Sequence, residues 1–354
     1  MCVVGARPNF MKIKPIVDEL DRRGVAATLV HTGQHYDSAM SEVFFDDLQL
    51  RRPDLHLGIG AGSNGAQVAQ VLTCMEQLLA HRKTDAVVVV GDVNSTVGAA
   101  LATAHSPALL AHVEAGLRSG DWSMPEEVNR IVTDRVSDVL FAPTAAAAEN
   151  LMREGRSPEH IEVVGDVMAE VLQRFLPVAR RRPIVGRLGL TPGRYALATL
   201  HRPANVDEPQ LLTDLLGTLD ELAATVPVVL PMHPRTRRRM AEHRIDDPRH
   251  VTVVPPLGYL DFVALQAGAR LVLTDSGSVQ EEARSQGLPC LTLRATTERP
   301  DTVDSGVNEL VGTDRTTILA AAQRILSGPP QRSPVSAVGP VGERIVTALL
   351  QRIT

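Results

Sequence analysis

The 354-residue chain contains few cysteines, few aromatic residues and no long apolar run. Its three cysteines, Cys2, Cys74 and Cys290, are odd in number and far apart, so they indicate neither a disulfide framework nor a CxxC metal site. No apolar run approaches the roughly 20 residues that a membrane span needs, and the N-terminus has no signal-peptide pattern. We therefore expect a cytoplasmic protein with no membrane partner.

An excess of positive charge is also missing, since the formal net charge is −5 at pH 7. Proteins that bind nucleic acid are normally basic, so that class of partner is excluded. Two arginine runs, at 180–182 and 237–239, are short and have no interleaved aromatic residues, which is typical of solvated helix or linker faces. Hydrophobic residues make up 44% of the chain, as expected for a packed globular protein.

Apolar runs alternate with helical patterns along almost the whole chain. Most runs are continuous Val, Ile, Leu and Ala residues, which is typical of strands buried on both faces of a parallel sheet. A helix with one apolar face is predicted at 66–82. The strands of the first series are predicted at 2–4, 27–32, 86–91, 108–113, 139–143 and 161–165. Those of the second series are predicted at 195–200, 228–232, 251–255, 271–275, 290–294 and 309–312.

The two series predict an α/β protein with two Rossmann-like, doubly wound parallel-sheet domains. A stretch rich in Pro, Gly and Arg at 177–194 separates them and has the composition of a linker. We expect a first domain over 1–172 and a second over 173–340. A last helix, expected at 341–354, follows another Pro- and Gly-rich stretch and is predicted to pack back on the first domain.

Polar residues follow the predicted strands, and ligands of doubly wound sheets bind outside the carboxyl ends of the strands. The stretch HVEAGLRSGDWSMPEEVNR, 112–130, ends an apolar run on Glu114 and then opens a helix with Glu126 and Glu127 in its first turn. Asp92 could simply cap a helix, whereas Glu114 and His201 precede no obvious helix start. A strand end and a helix start therefore both offer carboxylates to one edge of a sheet.

The stretch DSGSVQEEA, 275–283, indicates an anion site. Ser276, Gly277 and Ser278 follow an apolar run and open a helix, where backbone N–H groups and the helix dipole bind phosphate. A carboxylate one turn further on suits two ribose hydroxyls. The alternative is an ordinary capped helix with acidic residues near its start, and Asp275 could serve as its cap.

Two other motifs are weak. GAGSNG at 60–65 matches G-x-G-x-x-G, but it does not lie in the first βα unit, and no acidic residue ends a strand about 20 residues later. We therefore expect no nicotinamide cofactor. Metal-ligand types are present at the strand ends, but no H-E-x-x-H or comparable pair anchors them, so no metal site is predicted.

The motifs GARPN, TGQH, GDVNST, HVEAGLRSGD, PEEVNR, LHRPAN, MHP, DSGSVQEEA and TTERPD occur in this order over residues 5 to 301. In the identity and order of these motifs, the chain resembles the non-hydrolysing UDP-N-acetylglucosamine 2-epimerases. The resemblance implies a fold like that of GT-B glycosyltransferases, with the site in a cleft between the two domains. It also implies a UDP-sugar substrate, a homodimer, no cofactor and no metal.

The resemblance further implies roles for individual residues. The residues for proton transfer and stabilisation of a cationic sugar would be Asp92, Glu114, Glu126 and His201. Residues that hold the UDP part would be Arg7, Lys12, His233, Phe262, Ser276, Gly277, Ser278, Glu282 and Arg299. Asn129 and Arg130 would orient the carboxylates, although an ordinary helix face explains them equally well.

The reaction implied is inversion at C2 of the sugar through loss and re-addition of UDP. Three alternatives remain open: a hydrolysing epimerase that releases N-acetylmannosamine and UDP, a GT-B glycosyltransferase, and a regulator that only binds a sugar nucleotide. PEEVNR favours the non-hydrolysing epimerase, because hydrolysing relatives generally diverge in that segment. HVEAGLR together with PEEVNR argues against a glycosyltransferase, since glycosyl transfer needs no proton movement at C2.

The chain departs from the family pattern at positions near the expected site. HRPAN has Pro203 and Ala204 where the family has a charged pair, and Tyr36 and Asp37 follow TGQH. In bacterial relatives these regions line an effector site for a second UDP-N-acetylglucosamine, so we expect that regulation to be lost. Ser278 for glycine, and Asp166 for asparagine, point to a modified UDP-N-acetylhexosamine as a possible substrate.

Overall fold

A computed structural model describes residues 1–33, 45, 47–329 and 339–353, without the side chain of Arg7. The chain divides into two compact units, Met1–Val171 with Val338–Thr354, and Leu172–Ala337. Each unit contains one open sheet in which every described strand pair is parallel. Within the described ranges, no helix combines the length and the apolar character that a membrane crossing needs. The two parallel α/β sheets confirm the predicted fold class.

Within the described residues of the first unit, the sheet has seven strands in the order β3-β2-β1-β4-β5-β6-β7. Its strands are β1 (Cys2–Val4), β2 (Leu29–His31), β3 (Leu55–His56), β4 (Ala86–Val90), β5 (Leu109–Val113), β6 (Val139–Ala142) and β7 (Ile161–Val163). The order reverses between β1 and β4, where Cys2 pairs with both Leu29 and Val88. Such a switch point is where an open α/β sheet binds its ligand.

Helices connect these strands. The helices of the first unit are α1 (Arg7–Arg22), α2 (Asn64–His81), α3 (Asn94–Ala104), α4 (Pro125–Val136), α5 (Ala145–Arg153), the start of α6 (Val167–Ala179), and the last helix of the chain, α15 (Val341–Ile353). The α15 helix packs on α1 so closely that a Cβ on Gly342 would overlap the backbone of Pro15. The backbone N–H of Gly342 also donates to Glu170 at 2.9 Å.

The second sheet has six strands in the order β10-β9-β8-β11-β12-β13. They are β8 (Ala196–Thr199), β9 (Val228–Pro231), β10 (Thr252–Val254), β11 (Leu271–Thr274), β12 (Cys290–Thr292) and β13 (Asn308–Leu310). Its switch point lies between β8 and β11, which end together, with Thr199 opposite Thr274 and their hydroxyls 2.6 Å apart.

Its helices are α7 (Ile184–Arg187), α8 (Pro203–Val206), α9 (Pro209–Ala223), α10 (Pro234–His243), α11 (Tyr259–Gly268), α12 (Gly277–Ser285), α13 (Pro300–Asp304) and α14 (Arg315–Ser327). The core of this unit joins the strands to the apolar faces of α9 and α14, through residues such as Leu215, Leu219 and Ile318. Burial of these side chains is the main stabilising contribution to the unit.

The apolar runs predict the strands well because both faces of each central strand are covered. All five residues of β4, for example, are buried. The predicted helix at 66–82 is α2, whose N-cap Ser63 accepts a hydrogen bond from the Ala66 N–H at 3.3 Å. β3 was not predicted, since a two-residue edge strand carries no recognisable pattern.

The stretch at 177–194 is more regular than its composition indicates. The α6 helix continues through Pro177 to Ala179, and α7 follows at Ile184–Arg187. A proline removes one backbone hydrogen bond from a helix, and α6 ends two residues beyond it. The stretch is therefore partly helical rather than an irregular linker throughout.

Candidate active site

The first candidate residues lie where β4 ends, at the turn into α3. Gly91 follows Val90 with a φ of +68°, which glycine adopts at little cost. A Cβ at this position would lie 2.7 Å from Lys12 Nζ and 3.5 Å from a carboxylate oxygen of Glu114. Glycine therefore allows the backbone that carries Asp92 to pass directly beside Lys12 and Glu114.

Lys12 and Glu114 form a buried ion pair, with side chains 8% and 3% exposed. Lys12 extends from α1, and Glu114 is the first residue after β5. Glu114 has a φ of +70°, and this left-handed conformation costs a residue with a side chain on the order of 1–3 kcal/mol. Strain of this kind persists where the surroundings hold a residue in place, and it is concentrated at functional sites. Glu114 thus has a strained backbone conformation, and its carboxylate is held against a cation.

Asp92 is held from α4 through both its side chain and its backbone. Arg130 forms an ion pair with the Asp92 carboxylate, and its Nη1 donates to Glu127 Oε2 at 2.7 Å. Asn129 donates to the backbone carbonyl of Asp92 at 3.0 Å and to Asn94 Oδ1 at 3.1 Å. Asp92 does not cap α3, whose N-cap is Val93 without a side-chain hydrogen bond. The capping alternative is therefore wrong for this residue.

The two glutamates in the first turn of α4 have different surroundings. Glu127 is buried and accepts hydrogen bonds from the backbone N–H groups of Ser119 and Gly120, at 2.9–3.1 Å, besides the one from Arg130. It fixes the loop between β5 and α4. Glu126 is only half-buried and lies in the same turn. Of the pair, Glu126 is the carboxylate that a ligand reaches more easily.

A buried pair that no sequence motif indicated connects β5 with α4. His112 Nδ1 lies 2.7 Å from Asp134 Oδ1, and its Nε2 lies 2.8 Å from the carbonyl oxygen of Gly91. The sequence held one signal, because His112 is two residues before Glu114 and so lies on the same face of the strand. Asp134, one polar residue on an amphipathic helix, gave no signal.

Several predicted site residues lie outside the described part of the chain. The side chain of Arg7 is one of them, although its backbone begins α1. The last two residues of TGQH, Gln34 and His35, and the two residues that follow, Tyr36 and Asp37, are also not among the described residues.

In the second unit, His201 follows β8 and contacts the residue that follows β11. His201 Nδ1 lies 2.8 Å from Asp275 Oδ1. Asp275 also accepts hydrogen bonds from the backbone N–H groups of His201 and Arg202, both at 2.9 Å. Burial alone would raise the pKa of Asp275, but the charge of His201 and these hydrogen bonds outweigh it and lower the pKa. Asp275 therefore orients His201.

The expectation that Asp275 caps the next helix is wrong. The N-cap of α12 is Ser276, which makes no side-chain capping bond, and the helix begins at Gly277. The first N–H groups of a helix have no partner within the helix, so they are suited to an anion. A Cβ on Gly277 would overlap Glu298 Oε1, and Glu298 in turn pairs with Arg202 at 3.1 Å. A side chain at this helix start would displace the Glu298 carboxylate.

His233 lies beside His201, with ring centroids 5.2 Å apart. It is the N-cap of α10, and its Nδ1 accepts a hydrogen bond from the Arg235 N–H at 3.1 Å. The two histidines thus come from neighbouring strand ends, after β8 and β9, and each is fixed through its Nδ1 atom.

The remaining predicted residues of this unit are on α11, on α12 and before α13. Glu282 and Arg299 are buried, and Phe262 is half-buried. Glu281, the neighbour of Glu282, is paired with Arg284. Tyr259 was not predicted, but burial and then the charge of Glu282 raise the pKa of its hydroxyl well above the ordinary value.

Asp166 is one of the departures from the family pattern near the expected site. It is buried, and its Oδ1 accepts a hydrogen bond from the Met168 N–H at 2.7 Å, at the start of α6. This is a helix-capping interaction, so Asp166 has a structural role that does not require a substrate. Among the described residues, no three His, Cys, Asp or Glu side chains are grouped so that they could hold a metal ion.

Fold and site together define a class. Both sheets have the strand order of nucleotide-binding α/β proteins, and both place charged or polar side chains at the switch point. Comparison with known families identifies the family within this class. The family model for UDP-N-acetylglucosamine 2-epimerase matches residues 18–350, and the chain belongs to that family.

Individual relatives span nearly the whole chain. The UDP-N-acetylglucosamine 2-epimerase of Methanocaldococcus jannaschii is 38% identical over 356 residues, covering 98% of this chain and 97% of its own. The UDP-2,3-diacetamido-2,3-dideoxy-D-glucuronate 2-epimerase of Pseudomonas aeruginosa is 42% identical over 330 residues, 92% of each chain. The crystal structure of the M. jannaschii enzyme in complex with UDP-GlcNAc and UDP has a TM-score of 0.93 at 37% identity and covers 99% of both chains. These similarities confirm the resemblance seen in the motifs.

Proposed function

We propose that this protein is a non-hydrolysing 2-epimerase that interconverts UDP-N-acetylglucosamine and UDP-N-acetylmannosamine, or a modified pair of the same kind. One observation carries the proposal: the strained carboxylate of Glu114 is buried against Lys12, directly beside the turn that carries Asp92. Family membership supplies the class of reaction, and this arrangement supplies acidic groups with which to perform it.

The reaction needs two bond changes at adjacent carbons. C2 of the sugar has no neighbouring carbonyl, so its proton is not acidic at the start. Cleavage of the bond between C1 and the diphosphate oxygen leaves the electron pair on UDP and creates a cationic centre at C1. A base then removes the C2 proton and a C1–C2 double bond forms, which gives 2-acetamidoglucal and UDP. Protonation of the opposite face of C2, with return of the diphosphate oxygen to C1, gives the epimer.

The first unit offers groups for proton transfer and for stabilising positive charge on the sugar. Asp92, Glu114 and Glu126 are the proposed proton-transfer set. Neighbouring carboxylates disfavour each other's ionised form, which allows one of them to act as an acid while another acts as a base. Asn129 and Arg130 hold Asp92 in place, through its backbone carbonyl and its carboxylate respectively.

The second unit offers groups for the nucleotide. The start of α12, at Ser276, Gly277 and Ser278, is proposed to bind the diphosphate, because helix N-termini bind phosphate groups. Glu282 is proposed to hold the ribose hydroxyls, with Phe262, His233 and Arg299 around the nucleotide. His201, oriented by Asp275, is proposed to assist departure and return of the diphosphate. Arg7 and Lys12 of the first unit are proposed to add positive charge for the same group.

A second candidate substrate follows from the comparison with P. aeruginosa. That relative is 42% identical and its name specifies a 2,3-diacetamido uronate. A 2-epimerase of that kind uses the same bond changes at C1 and C2, since the differences lie at C3 and C6. The proposed reaction therefore covers both sugars, and the identity of the substrate is decided by assay.

The test is NMR of the reaction in D₂O with each UDP-sugar, without added nicotinamide cofactor and with EDTA. The proposal predicts that deuterium replaces hydrogen at C2, that the second epimer appears, and that UDP remains attached to the sugar at equilibrium. Release of N-acetylmannosamine and UDP in equal amounts would identify a hydrolysing enzyme instead. Absence of C2 exchange with every UDP-N-acetylhexosamine tested would contradict the epimerase assignment, and so would activity that EDTA abolishes and a divalent metal restores.

Two further parts of the proposal are that the protein works in the cytoplasm, as the sequence features indicate, and that it is a homodimer, as the family resemblance implies. Light scattering coupled to gel filtration measures the second directly. A mass equal to that of one 38.1 kDa chain across the working concentration range would contradict the dimer.

A further inference from the structure

His112 connects three parts of the fold that each carry one of the proposed catalytic carboxylates: its own strand and the two parts that its ring contacts. His112 itself is in β5, two residues before Glu114, and it is fully buried. Its Nδ1 contacts Asp134 in α4, the helix that begins with Glu126, and its Nε2 contacts the carbonyl of Gly91, which precedes Asp92.

Both partners of the ring are hydrogen-bond acceptors. A backbone carbonyl cannot donate, so Nε2 must carry a hydrogen. Asp134 Oδ2 accepts from the backbone N–H of Gly116 at 3.0 Å and pairs with Arg118 at 2.8 Å. Because Oδ2 accepts from an N–H group and from a guanidinium, Asp134 is held as a carboxylate by partners other than His112. Nδ1 must therefore carry a hydrogen as well.

A ring with hydrogens on both nitrogens is an imidazolium cation. Its charge suits the surroundings, since the carboxylates in the ion pairs of this region outnumber the lysine and arginine side chains that face them. Those pairs join Glu114 to Lys12, Asp134 and Glu154 to Arg118, and Asp92 and Glu127 to Arg130. A buried carboxylate without a cation would be strongly destabilising.

The hydrogen bond to Gly91 is the one that concerns the reaction. Gly91 has a positive φ, its N–H donates to the Val113 carbonyl at 3.0 Å, and its carbonyl accepts from His112. Both polar groups of this residue's backbone are therefore held by β5. The position of the next residue, Asp92, follows directly from the orientation of that backbone.

We propose that His112 is a positioning residue of the 2-epimerase: as an imidazolium cation, it fixes the turn that carries Asp92 relative to α4 and β5. The inference rests on the proposed function for its kinetic part and on geometry for its protonation state. His112 does not touch the substrate, and its effect reaches the reaction through Asp92.

Two substitutions test the two hydrogen bonds of the His112 ring separately. The amide nitrogen of asparagine replaces Nδ1, so His112→Asn keeps the bond to Asp134 and loses the one to Gly91. The amide nitrogen of glutamine replaces Nε2, so His112→Gln keeps the bond to Gly91 and loses the one to Asp134. Stability and activity should therefore rank in opposite order.

The expected result for His112→Asn is a protein that is the more stable of the two variants but loses about 100-fold in kcat, as misplacement of a reacting group by about 1 Å does. Both variants lose the cation, but only His112→Gln also loses the hydrogen bond to Asp134, so it should melt at the lower temperature while retaining kcat within about tenfold of the wild type. UDP affinity should be unchanged in both. Activity that simply follows stability, with the asparagine variant the faster one, would overturn the positioning role.

The protonation state is tested independently of any activity, by NMR of the wild-type protein labelled with ¹⁵N-histidine at neutral pH. The resonances of His112 are assigned by their loss in the glutamine variant. Each ring nitrogen should show a directly bonded hydrogen. A single protonated nitrogen would overturn the imidazolium assignment. If no UDP-sugar exchanges its C2 proton with the wild-type enzyme, the proposed function fails, whereas this measurement still decides the state of the ring.

Discussion

The two units place different chemistry at equivalent points of two similar sheets. In the first sheet the switch point is next to a network of ionised side chains, in which Glu114 pairs with Lys12 and Asp92 with Arg130. In the second sheet the switch point leads to a helix N-terminus and to two histidines fixed through their Nδ1 atoms. Apart from the additional edge strand β7 of the first sheet, the strand order is the same in both, so the difference comes from the residues after the strands and not from the fold.

This difference explains how one strand order supports two tasks. Paired carboxylates can exchange protons, since their protonation states respond to one another and to nearby cations. Backbone N–H groups at a helix start cannot take up a proton at neutral pH, but they bind an anion without any change of charge. We therefore expect substitutions of the carboxylates in the first unit to reduce turnover, and substitutions at the start of α12 in the second unit to reduce nucleotide affinity.

The largest effect is expected from Glu126→Gln, with Glu127→Gln as its matched control. Loss of a proton-transfer group at Glu126 should lower kcat by about 10²–10⁴ with near-normal UDP binding and stability. Glu127→Gln should instead lower the free energy of unfolding by about 3–5 kcal/mol, because it leaves Arg130 with one buried partner fewer. Steady-state kinetics, calorimetry of UDP binding and thermal denaturation of both variants measure the three quantities. Near-wild-type turnover in Glu126→Gln would remove that residue from the proposed proton-transfer set.

The next effect concerns Gly277 at the start of α12. In Gly277→Ala the new Cβ overlaps Glu298 Oε1, so the Glu298 side chain must shift at the proposed diphosphate site, and we expect UDP affinity to fall by about tenfold, or about 1.4 kcal/mol. Gly65→Ala is the control, since no atom lies within 4 Å of a Cβ there and the residue is in the first turn of α2. Calorimetric titration with UDP compares them. Equal affinity in the two variants would show that the helix start does not contact the nucleotide.

The effect expected for Asp275→Asn is on stability, and it should depend on pH. Because the pKa of Asp275 is lowered in the folded protein, its carboxylate stabilises the fold above the unfolded-state pKa, and that contribution is lost as pH falls through the folded-state pKa. The wild type should exceed the variant by about 1.5–3 kcal/mol near pH 7, as for hydrogen bonds to a charged group. Urea denaturation between pH 3 and pH 7 measures the gap, using about 3.9 as the unfolded-state pKa. A gap that stays constant down to the acid limit would mean that folding does not lower the pKa of Asp275.

The smallest effect concerns regulation. Pro203 and Ala204 lie exposed in α8, two residues beyond His201, and they offer neither a side-chain charge nor, at Pro203, a backbone donor. Allosteric coupling requires a contact that differs between two states. We therefore predict hyperbolic kinetics in UDP-N-acetylglucosamine, and conversion of UDP-N-acetylmannosamine from time zero without the other epimer. A lag that a trace of UDP-N-acetylglucosamine abolishes would show that an effector site persists.

The comparison also shows why local patterns predicted some features and not others. The central strands of both sheets are buried on both faces, so each forms an apolar run that can be recognised without the structure. The helix start at Pro125 is equally local, because proline fixes φ near the helical value wherever it stands. The strand β3 is local too, but its two residues are too few to form a pattern.

Partners across the fold were not predictable in the same way. Glu126 and Glu127 are adjacent and chemically equal, and only the packing of the 119–120 loop makes Glu127 the structural one. Asp275 has the sequence context of a helix cap, yet its carboxylate faces His201, 74 residues away. In each case the deciding contact joins residues whose distance in sequence carries no information about their distance in space.

The sequence by itself determined the α/β class, the two parallel sheets, the strand ends at which function is expected, and the family to which the chain belongs. These features depend on periodicity, composition and short motifs, which act within a few residues. Only the tertiary structure decided that Lys12 faces Glu114, that Arg130 is shared by Asp92 and Glu127, and that His112 lies between two acceptors. Those pairings arise because folding brings distant strands and helices together in a buried, weakly screened environment, where each charge must find a partner.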